Sequence, residues 1–283
     1  VTFSWVATGF DFTCGATVEG GVYCWGGNFF GQFGDGRTSQ PRTPVRVLAP
    51  TGVNFVQVSA NNRHSCGRTA TGAGTVYCWG LNASGQVGDG STTNRLAPTL
   101  VQAPAGVTFV GVAAGNNHSC AVTTASSTYC WGLNGNGQLG DGTTTQRLTP
   151  SSLLAPFGAT FVQVAPGVFH TCGVTATGTA YCWGLNGDGQ IGDGTLTQRL
   201  TPVQVQAPAG VTFSVVSTGA YHTCGLTASG AVYCWGFNGN GETTLPAGLS
   251  GVTAIAAGYS HTLALKDDGT DVAWGLNNNG HSL

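Results

Sequence analysis

Apolar and polar residues alternate along this chain in short runs of four to six, each stopped by Gly, Asn or Pro. Val107-Thr108-Phe109-Val110-Gly111-Val112 is one such run and Val203-Gln204-Val205 is another. A period of two sends successive side chains to opposite faces, so the runs predict short strands. Gly and Thr throughout disfavour helix. Between 107 and 155 the pattern predicts strands near 107–113, 118–123, 128–132 and 152–155. The whole pattern then recurs. Cys-Trp-Gly appears with its Trp at Trp25, Trp79, Trp131, Trp183 and Trp235, at intervals of 54, 52, 52 and 52 residues. A sixth copy, Ala273-Trp274-Gly275, follows after 39. Units start near 1, 53, 107, 159, 211 and 252, with no linker between them. About fifty residues per unit of three or four strands predicts an all-β propeller, one domain over 1–283, with six blades, or seven if a partner completes one. A parallel β-helix needs much shorter coils and an immunoglobulin-like array longer modules.

Ten Cys fall into five local pairs: Cys14/Cys24, Cys66/Cys78, Cys120/Cys130, Cys172/Cys182 and Cys224/Cys234. In the last, a three-residue turn Ala228-Ser229-Gly230 sets Thr227 opposite Ala231 and so Cys224 opposite Cys234. Opposed residues lie about 4.5–5.5 Å apart, within disulfide range. The pair Cys66/Cys78 is spaced by 12 rather than 10. Two extra residues in its turn, Thr71 to Gly74, keep both Cys on one face. In the sixth unit the same columns hold Leu263 and Ala273. The spacing favours disulfides over buried thiols and over metal ligation, since zinc ligands sit two to four residues apart with others nearby. Persistent disulfides imply an oxidising compartment, extracellular or at the cell surface. No signal peptide and no initiator Met are present, so a processed chain or an internal segment is expected.

Composition narrows the classes further. Only 7% of residues are charged, Lys occurs once, and the net charge is −2. A nucleic-acid or anionic-membrane partner therefore has no electrostatic support. No apolar run approaches the ~18 residues of a membrane span, so no membrane insertion is expected.

The phrases Tyr221-His222-Thr223-Cys224-Gly225-Leu226-Thr227, Gly230-Ala-Val-Tyr-Cys-Trp-Gly236 and Gly137-Gln-Leu-Gly-Asp-Gly142 resemble the repeat of the regulator of chromosome condensation. The resemblance covers essentially the whole chain. The stretch from Glu242 to Lys266 is more similar to the shorter repeats of the propeller-type β-lactamase inhibitor protein. The resemblance implies a β-propeller, normally seven-bladed, with a toroidal surface used for protein contacts. It carries fold further than function. Nucleotide exchange fits poorly with a disulfide-bonded chain. Light sensing by clustered Trp fits poorly with Trp residues that share one packing column.

Candidate chemistry is sparse. His64, His118, His170, His222 and His261 share one column, with Phe12 there in the first unit. Equivalent positions on separate blades are too far apart to share an ion, so structural hydrogen-bonding His residues are expected. Gly135-Asn-Gly137-Gln-Leu-Gly140 and Gly187-Asp-Gly189-Gln-Ile-Gly192 match a dinucleotide fingerprint by letter, but no helix follows either. Asn186, Asp188, Gln190 and Asp193 lack the frame of a calcium loop. Asp89, Asp141 and Asp193 each precede an Arg by six residues (Arg95, Arg147 and Arg199), which reads as a loop clip. No paired carboxylates and no nucleophile elbow mark a catalytic centre. No enzyme, metal or cofactor is expected.

Two functions remain. The first is a secreted or surface structural or adhesive propeller, self-assembling into an extracellular filament, since low charge removes repulsion between copies. The second is a discrete inhibitor- or receptor-like module that binds a protein by one propeller face. Convergence of loop aromatics on one face would separate them. The candidates are Phe29, Phe30 and Phe33 of the first loop, Trp5 of the first strand, which aligns with Gly111 and could cover an edge or meet a partner, and Phe169, Tyr221 and Tyr259, which are spread over several units. The last repeat stops near Leu276 without a Pro-containing strand, so its blade is expected to lack one strand. Three outcomes are then open: the ring closes with a short edge, the chain's own N-terminal segment fills the gap, or a neighbouring copy does, which is self-association through the chain termini by strand addition.

Overall fold

The structure, a computed structural model, describes residues 2–69 and 74–277. Among these are 22 strands in six antiparallel sheets, which are the six blades of an all-β propeller. The blades fall into two compact units.

The first unit comprises residues 1–135 and 145–153 and holds three four-stranded blades. Their strands are Phe3–Thr8, Phe12–Thr17, Val22–Gly26 and Val45–Arg46; Phe55–Asn61, His64–Thr69, Val76–Gly80 and Arg95–Leu100; and Phe109–Ala114, His118–Thr123, Thr128–Gly132 and Arg147–Ser152. The second unit, residues 136–144 and 154–283, holds one four-stranded blade: Phe161–Pro166, His170–Thr175, Ala180–Gly184 and Arg199–Gln204. Two three-stranded blades follow it: Val215–Thr218, His222–Leu226 and Val232–Gly236; then Val252–Ala257, His261–Lys266 and Asp271–Gly275. The 39-residue interval leaves the fifth blade no room for its outer strand. Residues 278–283, the end of the last repeat, lie outside the described residues.

The central hairpin of each blade has the register read from the turns. Cys14 faces Cys24, Cys66 faces Cys78, Cys120 faces Cys130, Cys172 faces Cys182 and Cys224 faces Cys234. All five pairs are disulfides. Their Cα atoms stand 4.0–4.1 Å apart, closer than the 4.5–5.5 Å expected from strand pairing alone. The turn explains the shorter distance. Thr227 N donates to Ala231 O, so Thr227 and Ala231 form a hydrogen-bonded pair. Counting in by three places puts Cys224 and Cys234 at a non-hydrogen-bonded pair, the closer kind. Gly230 takes the left-handed φ of 83° that the three-residue loop requires. Leu263 faces Ala273 in the unbridged sixth blade.

The Cys66–Cys78 spacing is two residues longer than that of the other four pairs. Of the stretch read at Thr71 to Gly74, residues 71–73 lie outside the described residues and Gly74 alone is described. The flanks carry the register instead: Thr69 N donates to Thr75 O, Arg68 faces Val76 and Gly67 faces Tyr77, so Cys78 meets Cys66 despite the spacing of 12. Cys78 also faces Thr99 of the outer strand, and both Cys66 and Cys78 are fully buried against Phe109 and Trp131 of the next blade.

The outer strand differs from its predicted place. In the third blade it runs over Arg147–Ser152, not 152–155. Tyr129 pairs with Ser152, Cys130 with Ser151 and Gly132 with Arg147, with an irregularity between. Pro150 sits in this edge strand, where its missing N–H costs no central ladder bond. A Thr/Arg segment that resembles a loop is therefore sheet.

Each core is built where one blade faces the next. In the first unit Cys14, Ala16, Val22 and Cys24 pack with Phe55, Val58 and Trp79. Phe55 holds Tyr77 edge-on at 6.0 Å and Trp79 at 5.8 Å. Trp79, Trp131 and Trp183 are fully buried and Trp274 nearly so, whereas Trp25 and Trp235 are half-buried.

Candidate interaction surface

The histidine column belongs to the joints between blades. Ser119 Oγ donates its one hydrogen to Gln86 O at 2.9 Å. It must therefore accept from His64 Nε2–H, also 2.9 Å away. Trp131 Nε1 donates to the same Gln86 carbonyl. The second unit repeats the device. His170 Nε2 meets Thr223 Oγ1 at 2.8 Å, and both Thr223 Oγ1 and Trp235 Nε1 donate to Gln190 O. His222 meets Thr262, while Thr262 and Trp274 donate to Glu242 O. Burial pushes the His64 and His170 imidazoles down to about 3 and His222 to about 4, so all three are neutral donors at pH 7. Phe12 fills the column by packing alone, and His261 is half-buried.

The Asp/Arg pairs clip loops. Arg95 Nε lies 2.5 Å from Asp89 and an Arg199 guanidinium nitrogen 2.6 Å from Asp193. Burial works to raise the Asp193 carboxyl, but hydrogen bonds from Thr195 and Arg199 outweigh it and hold the group below its ordinary value.

The turns joining the first two strands of successive blades form a rim. In the second unit this rim is aromatic. Gly219 allows it: a Cβ there would stand 2.6 Å from Gly258 O, so only glycine lets the two turns abut. Ala220 N donates to Tyr259 O across this contact. Tyr221 then lies 5.2 Å from Phe169, 6.4 Å from Phe237 and 6.5 Å from Tyr259 between ring centroids, the last edge-on at 85°. Phe237 and Tyr259 are exposed, Tyr259 by 55%. Burial raises the Tyr221 hydroxyl pKa, and Tyr259 and the exposed carboxylate of Asp188 raise it further. The loop aromatics of three blades therefore converge. Phe237 is absent from the sequence candidates, although its column, two after the repeated Trp, holds Leu81, Leu133 and Leu185.

The first unit carries a different rim. The Arg63 guanidinium lies 4.8 Å from the Phe30 ring centroid and 6.0 Å from Phe10, which is 71% exposed. Phe29 is exposed beside Phe30 in the chain. Phe33 is not part of this surface. It is fully buried in the core, in the column of Val87, Leu139 and Ile191. That Gly-Gln-x-Gly column points inward, because its Gln carbonyl must meet the next blade. Trp5, 49% exposed, lies on the first strand, as its place in the sequence predicts. Its column holds Gln57 and Gln163, whose amides bond both backbone groups of Val112 and Val216 in the following blades.

Charge divides between the units. The first carries seven Arg and four acids; the second carries seven acids against Arg199 and Lys266. No helix among the described residues is long and apolar enough to cross a membrane. The five disulfides point to an oxidising compartment.

Residues 1–250 match the family model described as RCC1-like domain, and 252–280 match the regulator of chromosome condensation (RCC1) repeat. The ultraviolet-B receptor UVR8 of Arabidopsis thaliana is 36% identical over 84% of this chain and 54% of its own. The probable E3 ubiquitin-protein ligase HERC4 of Homo sapiens is 32% identical over 71% of this chain and 19% of its own. The chain thus spans about half the length of the first relative and a fifth of the second. Human WBSCR16 superposes with a TM-score of 0.86 at 24% identity, over 98% of this chain and 77% of that one. The ectodomain of the Physcomitrella patens receptor kinase CR4 gives 0.68 at 23%, over 98% and 65%. These two likenesses concern the fold. On its repeats, its joints and these matches together, the chain belongs to the RCC1-like repeat β-propeller family.

Proposed function

We propose that this chain is a non-enzymatic protein-binding module, secreted or at the cell surface, that engages its partner through the aromatic rim of the second unit. The observation that carries this reading is the convergence of Phe169, Tyr221, Phe237 and Tyr259 from three blades. Large, partly exposed aromatics held at low entropy cost are the usual anchors of an interface. Peptides selected from a displayed random library on the full chain are expected to weaken at least about tenfold on Tyr221→Ala or Tyr259→Ala. Selected binders indifferent to both substitutions would place the interface elsewhere.

A second reading, self-association into a structural or adhesive filament, is favoured by the two end blades. In the column where Val58, Val112, Val164 and Val216 are buried, Val6 is 55% exposed. In the column of buried Val122, Val174 and Leu226, Leu265 is 46% exposed. Inside the units, the hairpin turn of one blade accepts from the next: Phe55 N donates to Gly20 O and Phe213 N to Gly178 O. Gly269 holds that turn position in the sixth blade, where a Cβ would meet no other atom within 4 Å. A second copy placing Phe3 over Gly269 would repeat this joint and bring the basic unit to the acidic one. Sedimentation is expected to show association that rises with concentration and falls at least about tenfold on Val6→Arg or Leu265→Arg. A monomer at every concentration would end this reading.

A further inference from the structure

We infer that the aromatic rim of the second unit receives a cationic side chain, Arg or Lys, from a basic segment of a protein partner, seated against Tyr221 and Tyr259 and beside Asp188. This rests on the reading of that rim as the partner site and names the chemistry it selects.

The first unit shows the pattern already filled. Arg63, the residue before His64, lies against Phe30 and Phe10 of the preceding blade. Phe30 stands two residues before Gln32 in its loop, and Phe10 two before Phe12. In the second unit the same columns are exchanged. The residue before His222 is Tyr221, and the residue two before Gln190 is Asp188. Two before His261 stands Tyr259. Asp188 therefore stands to Tyr221 as Phe30 stands to Arg63. A ring has replaced the cation and a carboxylate has replaced a ring.

The result is a cluster of π faces with one exposed acid and no cation of its own. Both cations of this unit are engaged elsewhere, Arg199 with Asp193 and Lys266 with Asp268 at 2.8 Å. Ring quadrupoles attract a cation over their faces, and a guanidinium adds planar hydrogen bonding to a carboxylate. Seven acids on the unit favour approach of a basic segment and oppose an acidic one.

The test is a titration of the full chain with hexa-arginine and with hexa-citrulline, its uncharged near-isostere. Salt is set at about 0.15 M, where exposed charges beyond about 8 Å are screened. Hexa-arginine is expected to bind at least about tenfold more tightly than hexa-citrulline. Tyr221→Ala and Asp188→Asn are each expected to weaken it by about tenfold, with Tyr221→Phe and Asp271→Asn near the parent. Native Trp fluorescence checks folding, and Tyr221→Phe keeps the ring should the alanine variant unfold. Equal binding of the two peptides, binding of neither, or an Asp271→Asn loss as large as that of Asp188→Asn would overturn the inference. If library-selected binders still depend on Tyr221 while citrulline competes equally, the rim reading survives and the cation alone falls. If selected binders ignore Tyr221, the rim reading itself falls.

Discussion

Lowering the pH from 7 towards 4 is expected to destabilise the fold steeply, through the buried histidines. His64 and His170 are pushed down to about 3 and His222 to about 4, each by burial. In the unfolded chain each titrates near 6.5. Between 6.5 and those lower values the unfolded state binds protons that the folded state refuses. The stability is therefore fully present above pH 6.5 and is lost as pH falls towards 4 and 3. Each such group gives a slope of about 1.4 kcal/mol per pH unit inside its window. Three together approach about 4 kcal/mol per unit, against a total of about 5–15 kcal/mol for a typical fold. Urea midpoints at pH 7, 6, 5 and 4.5 measure this. His170→Gln is expected to lower the pH 7 midpoint, since Thr223 loses its donor, and to flatten the slope below it. A midpoint constant from pH 7 to 5 would contradict the burial of these rings.

Full reduction is expected to unfold the chain at neutral pH. By the chain-entropy argument a loop of ten to twelve residues contributes about 2–3 kcal/mol, so five contribute on the order of 10 kcal/mol. That matches the whole stability of an ordinary domain. Access orders the loss. Nine of the ten Cys are fully buried, and Cys234 alone is half-buried. Limited reductant followed by alkylation should therefore label Cys224 and Cys234 first. A fully reduced chain that kept its native Trp emission and sheet signal would refute the prediction. Replacing Cys172 and Cys182 by Leu and Ala, the pair the sixth blade uses, should lose less than a double alanine.

The repeat and the hairpin register are legible because they are local. Cys-Trp-Gly fixes the third strand, and turn length fixes what faces what. Cys78 shows how far this reaches, since an even insertion leaves it opposite Cys66. The outer strand hides because Pro150 and its Thr/Arg neighbours read as loop, although an edge strand tolerates both. Phe33 misleads when read with Phe29 and Phe30 as a patch. Its Gly-Gln-x-Gly column, with Val87, Leu139 and Ile191, already carries the buried signal. The rim is the least legible part. Phe169 and Tyr221 are 52 residues apart, and nothing near Phe237 in sequence places it against Tyr221. Phe169 meets Tyr221 through the close approach of two backbone turns at Gly167 and Gly219, and Tyr259 meets it through Gly219 and Gly258.

At the joints, the acceptor beneath each Trp and hydroxyl is a main-chain carbonyl: Gln86, Gln190 and, with a different side chain, Glu242. A peptide oxygen is the same whichever residue carries it. On the acceptor side one repeat can thus follow another whatever side chain it carries there, provided its neighbour keeps the Trp and the Ser or Thr that donate, and a short repeat of 39 residues can take the place of one of 52. For a gene of this kind, unequal crossing-over that adds or removes a whole repeat needs no second mutation to restore the contact. Blade number becomes a quantity that recombination can change in single steps, as long as each blade brings its own His, hydroxyl and Trp to the joint.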